Sequence, residues 1–221
     1  VARKPRPDIV TEELARIDRR TQIVDEAAFL FARKGFSGTT LKDVADRCDM
    51  TKAALYYYFP DKESLVRAVY VTRMAQLNKS MHAALSRAPA DPLSRIAAFV
   101  RHCASRIDGN REAWIVGSQL FASLETSPGA EVIVALRDEF ENTLRTEVER
   151  AMDQGVFRRM DVALTARLLL SWVNYIPRWH RQGSGMSAEA VCDVFLDMTL
   201  KGLLEPQAAG AGGQAATTGA A

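Results

Sequence analysis

An all-α fold is predicted for this chain of 221 residues by three features of its sequence. Apolar side chains recur at the three- and four-residue spacing of a helix face over most of the length. No segment alternates apolar and polar residues with the β-branched enrichment and paired turns of a hairpin. Capping residues, two of them followed by proline, stand at helix-length intervals: Asp91-Pro92, Ser127-Pro128, Asp161 and Ser187. With 48% hydrophobic and 25% charged residues, the composition is that of an ordinary globular protein. The length allows a sizeable core without disulfide or metal staples.

The elements follow in order. Residues 1–17 are expected to form a basic, flexible arm. A first helix from about Asp18 to Lys34 places Ile23, Ala27, Leu30 and Phe31 on one stripe, and Gly35 stops it. Thr40, three residues before Asp43, opens a short helix through Leu41, Val44, Ala45 and Cys48. Asp49 and Met50 make a turn. Thr51 caps a third helix ending near Phe59-Pro60, and Asp61 caps a long fourth one reaching about Ala88. The helix after Ser127 is expected to bury Val132, Leu136, Phe140, Leu144 and Val148. Segments 162–180 and 187–204 are apolar over more than one face, as in helices buried in a bundle or between subunits. Residues 206–221 hold no charge and no large apolar side chain, so a disordered tail is expected.

Several function classes find no support. Cys48, Cys103 and Cys192 are far apart and odd in number, which fits small apolar residues in a reducing compartment. No apolar run approaches the roughly 18 residues of a membrane span, and no apolar segment follows the charged first residues as in a secretory signal. The cytoplasm is therefore the expected location. P-loop, dinucleotide-binding, zinc-protease and serine-hydrolase motifs are all missing, so no catalytic residue, metal ligand or cofactor is expected. Charge is uneven: residues 1–80 hold 15 Lys+Arg against 11 Asp+Glu. That excess points weakly to a polyanionic partner at the N-terminal end.

The run "ALYYYF" (54–59) sharpens this. A helix turns about 100° per residue, so Leu55, Tyr58 and Phe59 can share a buried face while Tyr56 and Tyr57 point elsewhere. Helices at 40–48 and 51–58 around a short turn have helix-turn-helix proportions. In such a motif the second helix enters the major groove by its leading turn, here Thr51, Lys52 and Ala54. The hydroxyls of Tyr56 and Tyr57 suit flanking phosphates, and Lys62 adds a charge. An ordinary three-helix core with tyrosines at a protein interface fits the pattern alone equally well. Arg3, Lys4 and Arg6 suit either a minor-groove arm or a solvated terminus.

Residues 23–70, through "LFARKGF", "TTLKDVADRCDM" and "TKAALYYYFPDKESL", resemble the DNA-binding region of the TetR family of bacterial transcriptional repressors. The resemblance implies a three-helix DNA-binding domain over residues 18–62 and a larger helical domain for ligand binding and dimerisation over 63–205. By position, Thr40, Lys52, Ala54, Tyr56, Tyr57 and Lys62 match the family's usual DNA-contacting places. Ala53 stands where glycine is common and Tyr57 where histidine is frequent. The family's last two long helices dimerise, which agrees with the two apolar surfaces of 187–204. A dimer also suits a palindromic operator.

For a small-molecule site, aromatic and polar residues gather at Trp114 with Phe121, at Trp172, Tyr175 and Trp179, and at His102 with Arg106. The same aromatics fit a core or a dimer interface. The stretch "NYIPRWHRQGSGMSAEAVCDVFLDMTLKGLL" (174–204) resembles the C-terminal end of TetR-family regulators of fatty-acid and steroid catabolism. Trp179, Arg181, Gly183, Ser187, Gly202 and Leu203 fit that pattern, and His180 and Gln182 depart from it. The inducer it implies is an acyl-CoA thioester or another lipophilic metabolite, with Arg106 or Arg178 as partner for its carboxylate or phosphate. The competing readings are a helical lipid- or acyl-binding protein without sequence-specific DNA binding, and a helical enzyme using His102 or His180.

Overall fold

Nine α-helices and no strand make up the residues that the computed structural model describes, 9–181, 183 and 185–203. They are α1 (Ile9–Lys34), α2 (Leu41–Arg47), α3 (Lys52–Tyr58), α4 (Lys62–Arg87), α5 (Pro92–Gly109), α6 (Arg111–Leu124), α7 (Glu131–Asp153), α8 (Val162–Trp179) and α9 (Ala188–Leu203). The all-helical expectation holds. No helix is long and apolar enough to cross a membrane. Residues 1–8, which carry Arg3, Lys4 and Arg6, and the expected tail at 206–221 lie outside the described residues.

The chain groups into two compact units. One comprises residues up to His82 together with Arg106–Phe140; the other comprises Ala83–Ser105 together with residues from Glu141 onward. Helices α4, α5 and α7 each contribute to both, so the borders fall inside helices rather than in linkers. The front of α4 and all of α6 group with the first three helices.

In the first unit, Ile23, Ala27, Leu30 and Phe31 of α1 bury against Val44, Ala45 and Cys48 around α2, Leu55 and Phe59 around α3, and Leu65 of α4. Arg19 of α1 also donates to the Cys48 carbonyl at 2.6 Å, tying α1 to the end of α2. The Arg20 guanidinium lies 4.7 Å from the Phe59 ring centre. In the second unit the buried Glu147 accepts from Arg95 at 2.7 Å and from Arg150 at 2.6 Å, so its charge is compensated from two sides.

Four expectations need correction. First, α1 begins at Ile9 rather than near Asp18, so half of the presumed arm is helical. Its early turns hold good helix formers and a Glu13–Arg16 ion pair at 2.7 Å. Leu14 and Ile17 there are exposed, so no buried stripe marks this part of the helix. Second, α7 starts at Glu131, not at Ser127-Pro128. Gly129 has φ +75°, which breaks any helix through it, and the Ser127 hydroxyl donates back to the Leu124 carbonyl at 2.7 Å, closing α6 instead. Third, with that start the buried stripe of α7 runs through Ile133, Phe140, Leu144 and Val148, and Val132 faces solvent. Fourth, Tyr58 is only half-buried. It packs edge-on against Tyr57, with ring centres 5.3 Å apart, at the margin of the Leu55–Phe59 core.

Candidate nucleic-acid interface

The short helix α3 is positioned from both ends. At its start the Thr51 hydroxyl accepts from the Ala54 amide at 3.1 Å. That bond satisfies one of the donors left open by the first turn. At its end Phe59 is buried and its amide donates to the Leu55 carbonyl at 3.0 Å. Leu55 anchors the middle. The turn before it places Asp49 at φ +49°, and the Met50 amide reaches back to the Ala45 carbonyl at 3.0 Å. The left-handed residue bends the chain sharply between α2 and α3.

This leaves one side of α3 to solvent. Thr51, Lys52, Ala54, Tyr56 and Tyr57 are all exposed, Tyr56 at 42% and Tyr57 at 73% of full accessibility. Lys52 Nζ sits 5.5 Å from the Tyr56 ring centre, so the two share a surface. No carboxylate occurs in α3. A cation, two phenol hydroxyls and a capped helix start form a donor-rich face of the kind that phosphates and base edges accept from.

Thr40 is exposed at the start of α2. Its amide donates to the Asp43 carboxylate at 2.7 Å, and its hydroxyl accepts from the Asp43 amide at 3.1 Å, the reciprocal capping box the sequence suggested. Lys34 approaches the same carboxylate at 2.8 Å. The Lys34 ammonium, followed by the Thr40 hydroxyl and amide, holds the Asp43 carboxyl well below the usual carboxylate range. Asp43 therefore stays charged, with the Lys34 ammonium offsetting it. Thr39, which sequence reasoning passed over, is buried and donates to the Gly35 carbonyl at 2.9 Å, securing the loop that delivers Thr40.

Lys62, also proposed to face DNA, is tied to a residue distant in sequence. Its ammonium donates to the Phe36 carbonyl at 2.6 Å and lies 4.1 Å from the Phe36 ring centre. Nothing in the local sequence signals this contact, because Phe36 is 26 residues away.

The residues expected for a small molecule divide between the two units. Arg106, Trp114 and Phe121 belong to the first compact unit; His102, Trp172, Tyr175, Arg178 and Trp179 belong to the second. Arg106, Tyr175, Arg178 and Trp179 are exposed, while His102, Trp114, Phe121 and Trp172 are half-buried. Trp172 and Trp179 both pack on Phe195, with ring centres 5.7 and 6.3 Å apart. An open groove of about 720 Å³ in the second unit, bounded by Arg87, Leu93, Arg101, Asp193 and Leu200, is lined by none of them. Sequence reasoning also missed Tyr70 and Arg137, which meet Phe121 inside the first unit: Tyr70 lies 6.1 Å from its ring, and the Arg137 guanidinium 5.7 Å. The available signal was an arginine set among the apolar stripe Ile133–Phe140 of α7.

Two family profiles and several known proteins match this chain. Residues 23–69 match the profile described as bacterial regulatory proteins, tetR family, and residues 89–203 match tetracyclin repressor-like, C-terminal domain. The HTH-type transcriptional repressor KstR2 of Rhodococcus jostii is 28% identical over 85% of this chain and 92% of its own length. The crystal structure of the regulator PfmR from Thermus thermophilus is 34% identical, covers 83% of this chain and 100% of its own, and superposes with a TM-score of 0.70. The structure of AibR in complex with isovaleryl coenzyme A and operator DNA is 26% identical, covers 81% of this chain and 97% of its own, with a TM-score of 0.70.

Proposed function

The chain belongs to the TetR family of bacterial transcriptional regulators, and on that premise we propose that it is a repressor that binds a palindromic operator as a homodimer and is released by a small acyl metabolite. The observation that carries the proposal is the outward row of α3: Lys52, Tyr56 and Tyr57 exposed side by side behind the Thr51 cap. In this reading α3 lies in the major groove. Thr51, Lys52 and Ala54 meet base edges, while Tyr56, Tyr57 and Thr40 bind phosphates at the groove walls. Lys62 joins them without leaving Phe36, since an ammonium has three N–H donors and Phe36 takes one.

Dimerisation is supported by apolar side chains that the single chain leaves in solvent. Leu164, Leu168 and Tyr175 follow one face of α8, and Val194 with Met198 follows one face of α9. Met198 is 67% exposed, unusual for a methionine unless another surface covers it. A second copy applied there is the simplest cover, and two-fold symmetry then matches the symmetry of a palindrome. The arm, DNA-binding region (18–62), ligand and dimerisation region (63–205) and tail are retained as functional divisions rather than compact bodies. The site of action is the cytoplasm.

The effector is proposed to be an acyl-CoA or another lipophilic metabolite, as the C-terminal resemblance implies; AibR was solved with isovaleryl coenzyme A. Release works as a population shift, so the effector must bind the DNA-incompetent state more tightly than the competent one. No step of this function is chemical, and none needs a cofactor. Selection from a random duplex pool, followed by footprinting, tests the proposal. A palindromic footprint displaced by an acyl-CoA is expected. Failure to enrich any duplex would favour a helical acyl-binding protein that does not read DNA.

A further inference from the structure

Arg137 stands out among the charged residues of the first compact unit. Its Nη1 is sealed from solvent and has no hydrogen-bond partner, and the side chain enters no ion pair among the described residues. The adjacent Glu139 is engaged by Asn78 at 2.9 Å and by His82 at 3.0 Å. The Arg137 guanidinium lies 5.7 Å from the Phe121 ring centre and 5.8 Å from that of Phe140. Both distances are near the outer limit of a useful cation–π contact, so the rings repay little of the lost hydration. The Tyr70 phenol is buried beside it. Burial pushes its pKa up to about 12, against the pull of the Arg137 charge. A cation and a neutral hydroxyl donor thus converge among aromatic walls; the exposed Glu125 raises the Tyr70 pKa a little further, but no carboxylate pairs with the Arg137 guanidinium among the described residues.

Space adjoins this point. Trp114, Gly117 and Phe121 occupy one face of α6 at steps of three and four residues, all half-buried. A Cβ added at Gly117 would meet no atom within 4 Å. Glycine inside a helix weakens it, and nothing packed against this one requires it. An apolar chain lying along the stripe would end at Arg137 and Tyr70. Helix α6 also packs on α1, the helix that braces α2 and α3.

We propose that Arg137, with Tyr70, reads the carboxylate or phosphate of an acyl effector whose apolar part lies along Trp114, Gly117 and Phe121 of α6. This deepens the proposed function and rests on it for the word effector. It also replaces Arg106 and Arg178 as the anion partner: both are exposed, where a charge pair is screened by water.

The test titrates the full-length protein with butyrate, octanoate and palmitate, with their CoA thioesters and with the matching alcohols. Tryptophan fluorescence and melting temperature are followed. At least one anion is expected to bind about tenfold more tightly than its alcohol, the worth of a charge-assisted hydrogen bond. Preference for the free acids assigns a carboxylate and preference for the thioesters a phosphate; either supports the proposal. Arg137→Gln should erase the anion preference while Arg137→Lys keeps part of it. Without ligand, Arg137→Gln should melt no lower than the wild type, because a half-buried guanidinium with a sealed, unpartnered Nη1 is lost. Gly117→Leu should weaken acids and alcohols alike by filling the stripe. Anions that bind no better than alcohols, or not at all, overturn the proposal. So does an Arg137→Gln variant that binds as the wild type does, or one that only loses stability. A wild type that selects no duplex would sink the repressor reading, while the ligand titration would still decide the site.

Discussion

The Lys62 ammonium donates to the Phe36 carbonyl, while Lys52 touches only the Tyr56 ring, so two lysines at one face carry different loads. Lys52→Ala is therefore expected to lower the salt dependence of operator binding by about one phosphate's worth and leave the urea midpoint unchanged. Lys62→Ala should lower both, since it also frees the Phe36 loop. Asp43 offers a pH test. Its folded pKa lies below its unfolded value, so its contribution is present above the ordinary carboxylate range and is lost as pH falls through the depressed folded value. Melting curves of wild type and Asp43→Asn should differ near neutrality and converge in acid; a constant gap would rule out the Lys34–Asp43 linkage. At this scale helix geometry alone separated Tyr56 and Tyr57 from Leu55 and Phe59. It missed the Phe36 partner of Lys62 and the unanswered charge of Arg137, because both depend on residues brought near by tertiary packing.

Helix α3 is seven residues long, too short to persist alone, so its end devices and the Leu55–Phe59 anchor decide its pose. Thr51→Ala should cost about 1 kcal/mol of folding free energy in urea melts and weaken operator binding further, through a frayed leading turn. Asp49 holds a left-handed backbone that glycine adopts freely. Asp49→Gly should thus be neutral or stabilising by up to about 1 kcal/mol, and Asp49→Val clearly destabilising. A loss of stability in Asp49→Gly would mean that the Asp49 side chain, not the turn, matters. The elements legible in the sequence were those with a chemical mark at their ends: the Thr40 box, Thr51, Asp61, Asp91 and Asp161. Where a mark was shared or missing, the reading slipped. Ser127 looks like a cap for α7 but closes α6, and the first turns of α1 form without a buried stripe to announce them.

For the whole molecule, the exposed apolar faces of α8 and α9 are the features that one chain does not explain by itself. Leu168→Glu combined with Met198→Glu is expected to give a helical monomer by sedimentation and circular dichroism, with operator affinity reduced far more than a single half-site contact would account for. A double variant that stays dimeric would place the interface elsewhere. The sequence pattern did show that these segments were apolar on more than one face. Which side chains faced inward became clear only from packing: Leu169, Val173 and Ile176 are buried, while Leu164, Leu168 and Tyr175 are not. The outward face of α3 is proposed to read DNA. The most direct test of that proposal is the affinity of the Tyr56→Phe, Tyr57→Phe double variant for the selected operator, with melting temperature as control. Loss of two hydroxyl–phosphate bonds at roughly 1 kcal/mol each predicts binding weakened by about tenfold or more at an unchanged melting temperature. Unchanged affinity for the operator would contradict the account.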